Sequence, residues 1–293
     1  MNIRKYIAFL RSVELGSISL AADELGYTQS AVSKMIADLE DEWNVRLLTR
    51  NHYGIELSSE GLSLLPTIRE IVRGYEDLNF AVSELHGMRA GQLRLGCFTS
   101  LSTSFLPGAL KSFKENYPDI SIQLQIGEYR QIAAWLQQGK IDCGILDMAL
   151  SGEVDMSFLL RDKLVAILPE NHPLAAEARF PIKRLAEENF IALREFQDFE
   201  MNGFFERHHI RPAYSYEVNS DFTLLSMVEN GLGMSIVHET ILHPARFNVV
   251  TLPLDKTEYF DVGMGTRKGG EPSTVTKLFM EHIKNCISGE NSK

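Results

Sequence analysis

A chain of 293 residues with 44% apolar and 23% charged side chains has room for two or three domains and the make-up of a globular protein. Its 29 Lys+Arg against 39 Asp+Glu give a net charge of −10, which excludes a general polyanion binder and a basic membrane-surface protein. No run of about 18 apolar residues exists, so no transmembrane helix is expected. Met1–Leu10 carries no signal-peptide pattern, which points to the cytoplasm. Three cysteines, Cys97, Cys143 and Cys286, are too few and scattered for a disulfide scaffold and read as reduced thiols, with a Cys97–Cys143 redox pair as the alternative.

Along the chain, Ile3, Ile7, Leu10 and Val13 recur at helical spacing and predict a helix over 3–15, ended by Gly16. A short helix over Ile18–Leu25, a turn at Gly26-Tyr27 and a third helix from the N-cap Thr28 to Trp43 follow. Asn44–Ser58 reads as two extended arms around Asn51–Gly54, a hairpin-like wing. Leu64, Ile68, Ile71, Tyr75, Leu78, Val82 and Leu85 then alternate steps of four and three, a heptad stripe that predicts a helix–helix dimer seam. Pro66 is tolerated in its first turns, and His86–Gly91 reads as a hinge.

After residue 91 strands and helices alternate: strand Gln92–Phe98, helix Phe105–Tyr117, strand Ile120–Ile126, helix Ile132–Gln138 and strand Asp142–Leu146. This order implies a parallel sheet with right-handed crossovers. A second set runs through strands Leu164–Leu168, Phe190–Leu193, Tyr214–Val218 and Met234–Val237, with helices Phe199–His208 and Phe222–Glu229. Strands near Val249–Leu252 and Tyr259–Thr266 and a helix from Ser273 to Ile287 complete the chain.

The turn glycine Gly26 has Ala22 four residues before it, and Val32 and Met35 six and nine after it. A small residue, a glycine and two apolar residues at that spacing let two helices cross over a short turn, as in a helix-turn-helix. Leu25 and Leu39 complete the inner face, leaving Gln29, Ser30, Ser33, Lys34 and Ala37 outward. Gln and Ser can bond base edges or phosphates, Lys34 can pair with phosphate, and Arg46, Arg50 and His52 can reach the backbone or minor groove. Residues 1–58 hold six Lys/Arg and eight Asp/Glu, so even this part is not basic overall. Asp23, Glu24, Asp38, Glu40, Asp41 and Glu42 fall on the second helix or the far end of the third.

The run FLRSVELGSISLAADELGYTQSAVSKMIADLEDEWNVRLLTRNHYGIELSSEG resembles the winged helix-turn-helix of LysR-type transcriptional regulators. The resemblance covers residues 3–61 strongly, and in weaker form LRLGCF, PDI, GKIDCGI, LPENHPLA and VENGLGMSIV. It implies base and phosphate contacts from Thr28, Gln29, Ser30, Ser33, Lys34, Arg46 and Arg50. The wing departs from the family pattern at Asn51, His52 and Tyr53, where members often carry a further Arg. It also implies a two-lobed periplasmic-type domain with a small-molecule effector in the cleft. An α/β sheet binds ligands beyond the carboxyl ends of its strands, which nominates Thr99, Ser100, Glu128, Tyr129, Asp147, Arg194 and Phe222. The five hydroxyls of Thr99–Ser104 with free N–H groups suit a carboxylate, and Glu128 and Asp147 suit an amine on the same ligand.

A zinc site at His238-Glu239 and His243 fails, because positions five apart on a helix lie about 140° from each other. His208-His209 reads as a solvated helix end. No P-loop, nucleophile elbow or G-x-G-x-x-G is present, so neither an enzyme, a cofactor nor a metal is expected. The resulting expectation is an α+β multidomain chain. It has an N-terminal winged helix-turn-helix (1–60), a long linker and dimerisation helix (61–90) and a two-lobed α/β periplasmic-binding-protein-like effector domain (91–293). Lobe one takes 91–162 and 266–293, lobe two 163–265. The expected partners are double-stranded promoter DNA, a small-molecule effector with a carboxylate as one candidate group, and further copies of the chain as a homodimer or tetramer, with no membrane. The alternative is a small-molecule or redox-sensing module without specific DNA recognition.

Overall fold

The computed structural model describes residues 2–51, 54–86, 89–193, 200–242 and 247–290. The chain divides into two compact units, Met1–Gly91 with Ser273–Val275, and Gln92–Pro272 with Thr276–Lys293. In the first, α1 (Ile3–Leu15), α2 (Ile18–Leu25) and α3 (Gln29–Trp43) each start on a side-chain cap. The oxygens of Asn2, Ser17 and Thr28 accept from the amides of Arg4, Leu20 and Ala31 at 3.1, 3.3 and 3.2 Å, satisfying donors that no earlier helical turn can reach. Gly26 adopts φ 68°, which turns the chain so that the Tyr27 amide donates to Ala22 O at 2.9 Å. Ala22, Val32 and Leu39 are buried where α2 and α3 cross, with Phe9 and Leu47 in the same core.

Strands β1 (Leu48–Asn51) and β2 (Gly54–Leu57) pair antiparallel from Leu48–Leu57 to Asn51–Gly54, forming the wing. Helix α4 (Ser59–Leu85) starts hard against it: a Cβ on Gly61 would lie 2.2 Å from Leu47 O. Pro66 sits near the start of α4 without interrupting it.

The second unit is built on one long strand. Strands β3 (Gly91–Cys97), β4 (Ile120–Ile126) and β5 (Cys143–Asp147), with helices α5 (Thr99–Thr103), α6 (Leu106–Asn116) and α7 (Tyr129–Gln138), form its first half. Strand β6 (Asp155–Pro169) then pairs with two different sets of partners. Residues 155–163 pair with β11 (Tyr259–Thr266), while 164–169 pair with β9 (Ser235–His238) and β10 (Val249–Pro253). The first lobe's strand order is thus β4-β3-β5-β11-β6. The second lobe adds β7 (Asn189–Leu193) parallel to β8 (Ala213–Val218), joined to the rest through a Phe190–Met234 bridge, with α8 (Glu200–His208) and α9 (Asp221–Glu229). Helix α10 (Thr274–Glu290) ends the described chain.

Two expectations change here. β3 and β5 are parallel, but β11 and β6 close the sheet antiparallel. β11 therefore belongs with the first lobe, since Val262–Gly265 pair with Asp147–Gly144. The chain returns from lobe two near residues 254–258, where Leu164 N donates to Glu258 O at 3.0 Å, and not at 265.

Candidate DNA interface and effector cleft

Thr28, Gln29, Ser30 and Lys34 are exposed on the first turns of α3, and Ser33 is half-buried beside them. Their exposure follows from the crossing: Val32 and Ile36 take the buried face, so residues between them face out. The Thr28 hydroxyl caps α3 and lies 3.1 Å from the Ser30 hydroxyl. One of the two donates to the other, which leaves a single proton of the pair for an outside acceptor. The acids nearby are drawn inward by α1. Lys5 lies 3.6 Å from Asp38 and 3.7 Å from Glu42, and Arg11 lies 2.8 Å from Glu14 and 3.4 Å from Glu24.

Arg46 projects from the wing, while the side chain of Arg50, like His52, lies outside the described residues. Glu40, read in sequence only as one of several acids far from DNA, holds this geometry. Its Oε1 accepts from Leu47 N at 2.7 Å and Leu48 N at 3.2 Å, and its Oε2 lies 3.5 Å from Arg46 Nη1. A carboxylate in the last turn of a helix opposes the helix dipole, so a compensating set of donors was the signal to look for. Glu40→Ala leaves two shielded amides without an acceptor. It should lower the stability of the DNA-binding unit by about 1–3 kcal/mol in urea unfolding. Equal stability would show that water replaces the carboxylate at no cost.

The heptad stripe divides. Ile68 is 2% exposed within the DNA-binding core, and Leu64 and Ile71 pack against that core, because α4 lies along α1. These three are intrachain contacts and not seam positions. Tyr75, Leu78, Val82 and Leu85 continue the stripe exposed, Leu78 at 59% and Leu85 at 86%.

In the second unit, an aromatic and acidic cluster lies between the lobes. Phe98, at the end of β3, meets Tyr129 edge-on at 4.9 Å, Tyr129 lies 5.7 Å from Phe260, and Phe260 lies 4.7 Å from the His238 imidazole. His238 Nδ1 is 3.6 Å from Asp162 Oδ2, to which Thr240 also donates. Asp162 Oδ1 accepts from Lys163 N at 2.8 Å. Asp147, closing β5, accepts from Ala149 N at 2.7 Å, and burial raises its carboxyl above the ordinary range despite the pull of that bond and of His238. Asp221, opening α9, is pushed by burial up to about 6, with His238 acting in the opposite sense.

Of the residues nominated from sequence, Tyr129 and Asp147 join this cluster, and α5 with Thr99 and Ser100 packs on the 3-10 turn Glu239–Leu242 of the other lobe. Glu128 is exposed and leaves α7 without a side-chain cap. Phe222 is largely exposed, 6.4 Å from Phe247, and Arg194 lies outside the described residues. The hydroxyl loop shrinks as an anion site. Ser102, Thr103 and Ser104 donate to the carbonyls of Thr99 and Ser100 at 2.8, 3.1 and 2.7 Å, which spends three of the five hydroxyls on α5 itself. Asp162, Asp221, His238, Thr240 and Phe260 escape sequence reading. The available signal was a histidine closing the otherwise apolar run Ile236-Val237. Cys97 and Cys143 are buried free thiols, and burial pushes Cys143 well up, disfavouring the reactive thiolate. Among the described residues no group of metal-ligating side chains is assembled.

Comparison with known proteins fits both halves. Residues 3–62 match the model for bacterial regulatory helix-turn-helix proteins of the lysR family, and residues 86–286 match the LysR substrate-binding domain. The HTH-type transcriptional regulator YvbU of Bacillus subtilis (strain 168) is 31% identical over 296 residues, covering 99% of this chain and 100% of that protein. A full-length single-substitution variant of OxyR from Pseudomonas aeruginosa superposes with a TM-score of 0.77 at 17% identity, covering 98% of this chain and 97% of that one. Full-length CbnR complexed with its target DNA superposes with a TM-score of 0.58 at 20% identity, covering 98% and 100%. The chain thus belongs to the LysR family: it is a DNA-binding transcriptional regulator that joins a winged helix-turn-helix to a substrate-binding, effector-sensing domain.

Proposed function

We propose that α3 enters the major groove of promoter DNA, with Gln29, Ser30 and Ser33 at base edges and Thr28 and Lys34 at phosphates. Arg46 and Arg50 of the wing grip the backbone beside it. The exposed strip Thr28–Lys34, with Val32 and Ile36 buried behind it, carries this reading. Two copies joined through Tyr75, Leu78, Val82 and Leu85 set the spacing of the half-sites, and dimers pair into tetramers. A small molecule held between the lobes by Tyr129, Asp147 and the α5 segment alters lobe closure and so the geometry of the bound DNA. The chain acts in the cytoplasm without enzymatic activity; among the described residues no helix is long and apolar enough to cross a membrane.

Gln29→Ala and Ser33→Ala should each relax sequence preference by about 1–3 kcal/mol, the worth of a specific base contact. Gel shifts on the promoter fragment and a scrambled copy measure this. Unchanged discrimination in both variants would remove α3 as the reading element, and no specific shift by the parent protein would favour a sensing module without DNA recognition.

A further inference from the structure

We infer that the effector carries a protonated amine or amidine, and that Asp221 and Asp147, one from each lobe, are its charge partners. This rests on the cleft reading above and names the ligand class for it.

Asp147 and Asp221 are each 6% exposed, and both act on the imidazole of His238. Asp162 claims the same imidazole from 3.6 Å. Three buried carboxyls therefore share one basic group, and even a protonated His238 leaves negative charge over. Asp162 is otherwise satisfied by Lys163 N and the Thr240 hydroxyl. Asp147 holds Ala149 N. Asp221 receives no hydrogen bond from any described residue, although its carboxyl is almost wholly out of water. Arg161, on the strand beyond β11 from Asp147, is already committed to Asp261 at 2.6 and 2.9 Å.

A carboxylate withdrawn from water is costly until a donor or cation reaches it. The walls around these acids suit a cation as well. Phe98, Tyr129 and Phe260 form a continuous aromatic chain ending at His238, and ring faces attract ammonium and guanidinium groups. An anionic ligand finds less here, since most hydroxyls of α5 are turned onto their own carbonyls. The amine would enter between the lobes, bridge the two acids and draw them together, which couples its binding to closure.

The test uses the full chain in thermal-shift titrations. Agmatine, putrescine, ethanolamine and arginine serve as amine probes; succinate, glutarate and benzoate serve as carboxylates without an amine. At neutral pH Asp221→Asn should raise the melting temperature of the unliganded protein by a few degrees, because an uncompensated buried charge is gone. At least one amine should stabilise the parent protein, with apparent affinity falling about tenfold or more in both Asp221→Asn and Asp147→Asn. Asn at 147 retains the turn cap, so that variant stays folded if the other does not. A lower melting temperature for unliganded Asp221→Asn would mean that the chain's own cation already pairs this acid and would overturn the inference. Binding of carboxylates alone would overturn it while leaving the effector cleft standing. No shift with either class would overturn both.

Discussion

Leu78→Asp should convert the protein to folded monomers and weaken promoter binding by two orders of magnitude or more. Leu78 lies at the middle of the exposed half of the α4 stripe, with Tyr75 three residues before and Val82 four after. In a symmetric seam each substitution appears twice, so two carboxylates enter one apolar interface and each loses its water without a partner. The cost is several kcal/mol, comparable to the free energy that holds an interface of modest size. Promoter affinity falls with it because the second half-site contact is no longer tethered to the first. Sedimentation equilibrium and gel shifts read the two effects. A dimer of normal affinity would place the seam elsewhere. Ile68→Asp is no substitute, since Ile68 belongs to the core of the DNA-binding unit and its loss unfolds that unit.

The second large effect is a dependence of stability on pH set by Asp221. Its carboxyl titrates near 6 in the folded chain against an ordinary 3.8. Between those values the unfolded chain has released the proton and the folded chain still holds it. Stability therefore falls as pH rises from about 4 to about 6 and levels off above, by about 3 kcal/mol in all. Asp147, raised in the same way, acts in the same direction. Asp261, held down by Arg161, and Glu258, held down by His208 and Arg207, act oppositely and lose stability on acidification. The difference between the parent protein and Asp221→Asn isolates the one group. In urea unfolding followed in the effector domain, Asp221→Asn should gain on the parent between pH 4 and pH 6 and hold a constant advantage above. A constant difference across the whole range would show that Asp221 titrates normally.

Local chemistry made much of this protein legible before any fold was known. Gly26 can turn back on α2 because glycine reaches a positive φ cheaply, and Ala22 and Val32 at fixed offsets identify the crossing. The strands of the second unit betray themselves by alternation, as Ile120, Ile122, Leu124 and Ile126 do. The family follows from many such positions in one order. The N-terminal part of β6 is missed because Met156–Asp162 lacks a clean period of two.

What remained hidden depends on which surfaces meet. The heptad stripe of α4 is uniform in sequence, yet its first half is spent inside the chain because α4 lies along α1, and only Tyr75–Leu85 remains for a partner. Glu40 looks like one acid among several until the wing's amides arrive at 2.7 and 3.2 Å. Thr99–Ser104 looks like an anion site until the five-residue helix turns three hydroxyls onto its own carbonyls. Asp147, Asp162, Asp221 and His238 come from four separate elements, and no spacing in the chain relates them. Periodicity, caps and turn residues act between near neighbours, so they can be read along the chain. Burial and charge pairing act between segments far apart in the chain, so folding alone settles which acids share one imidazole and which half of a stripe is left bare.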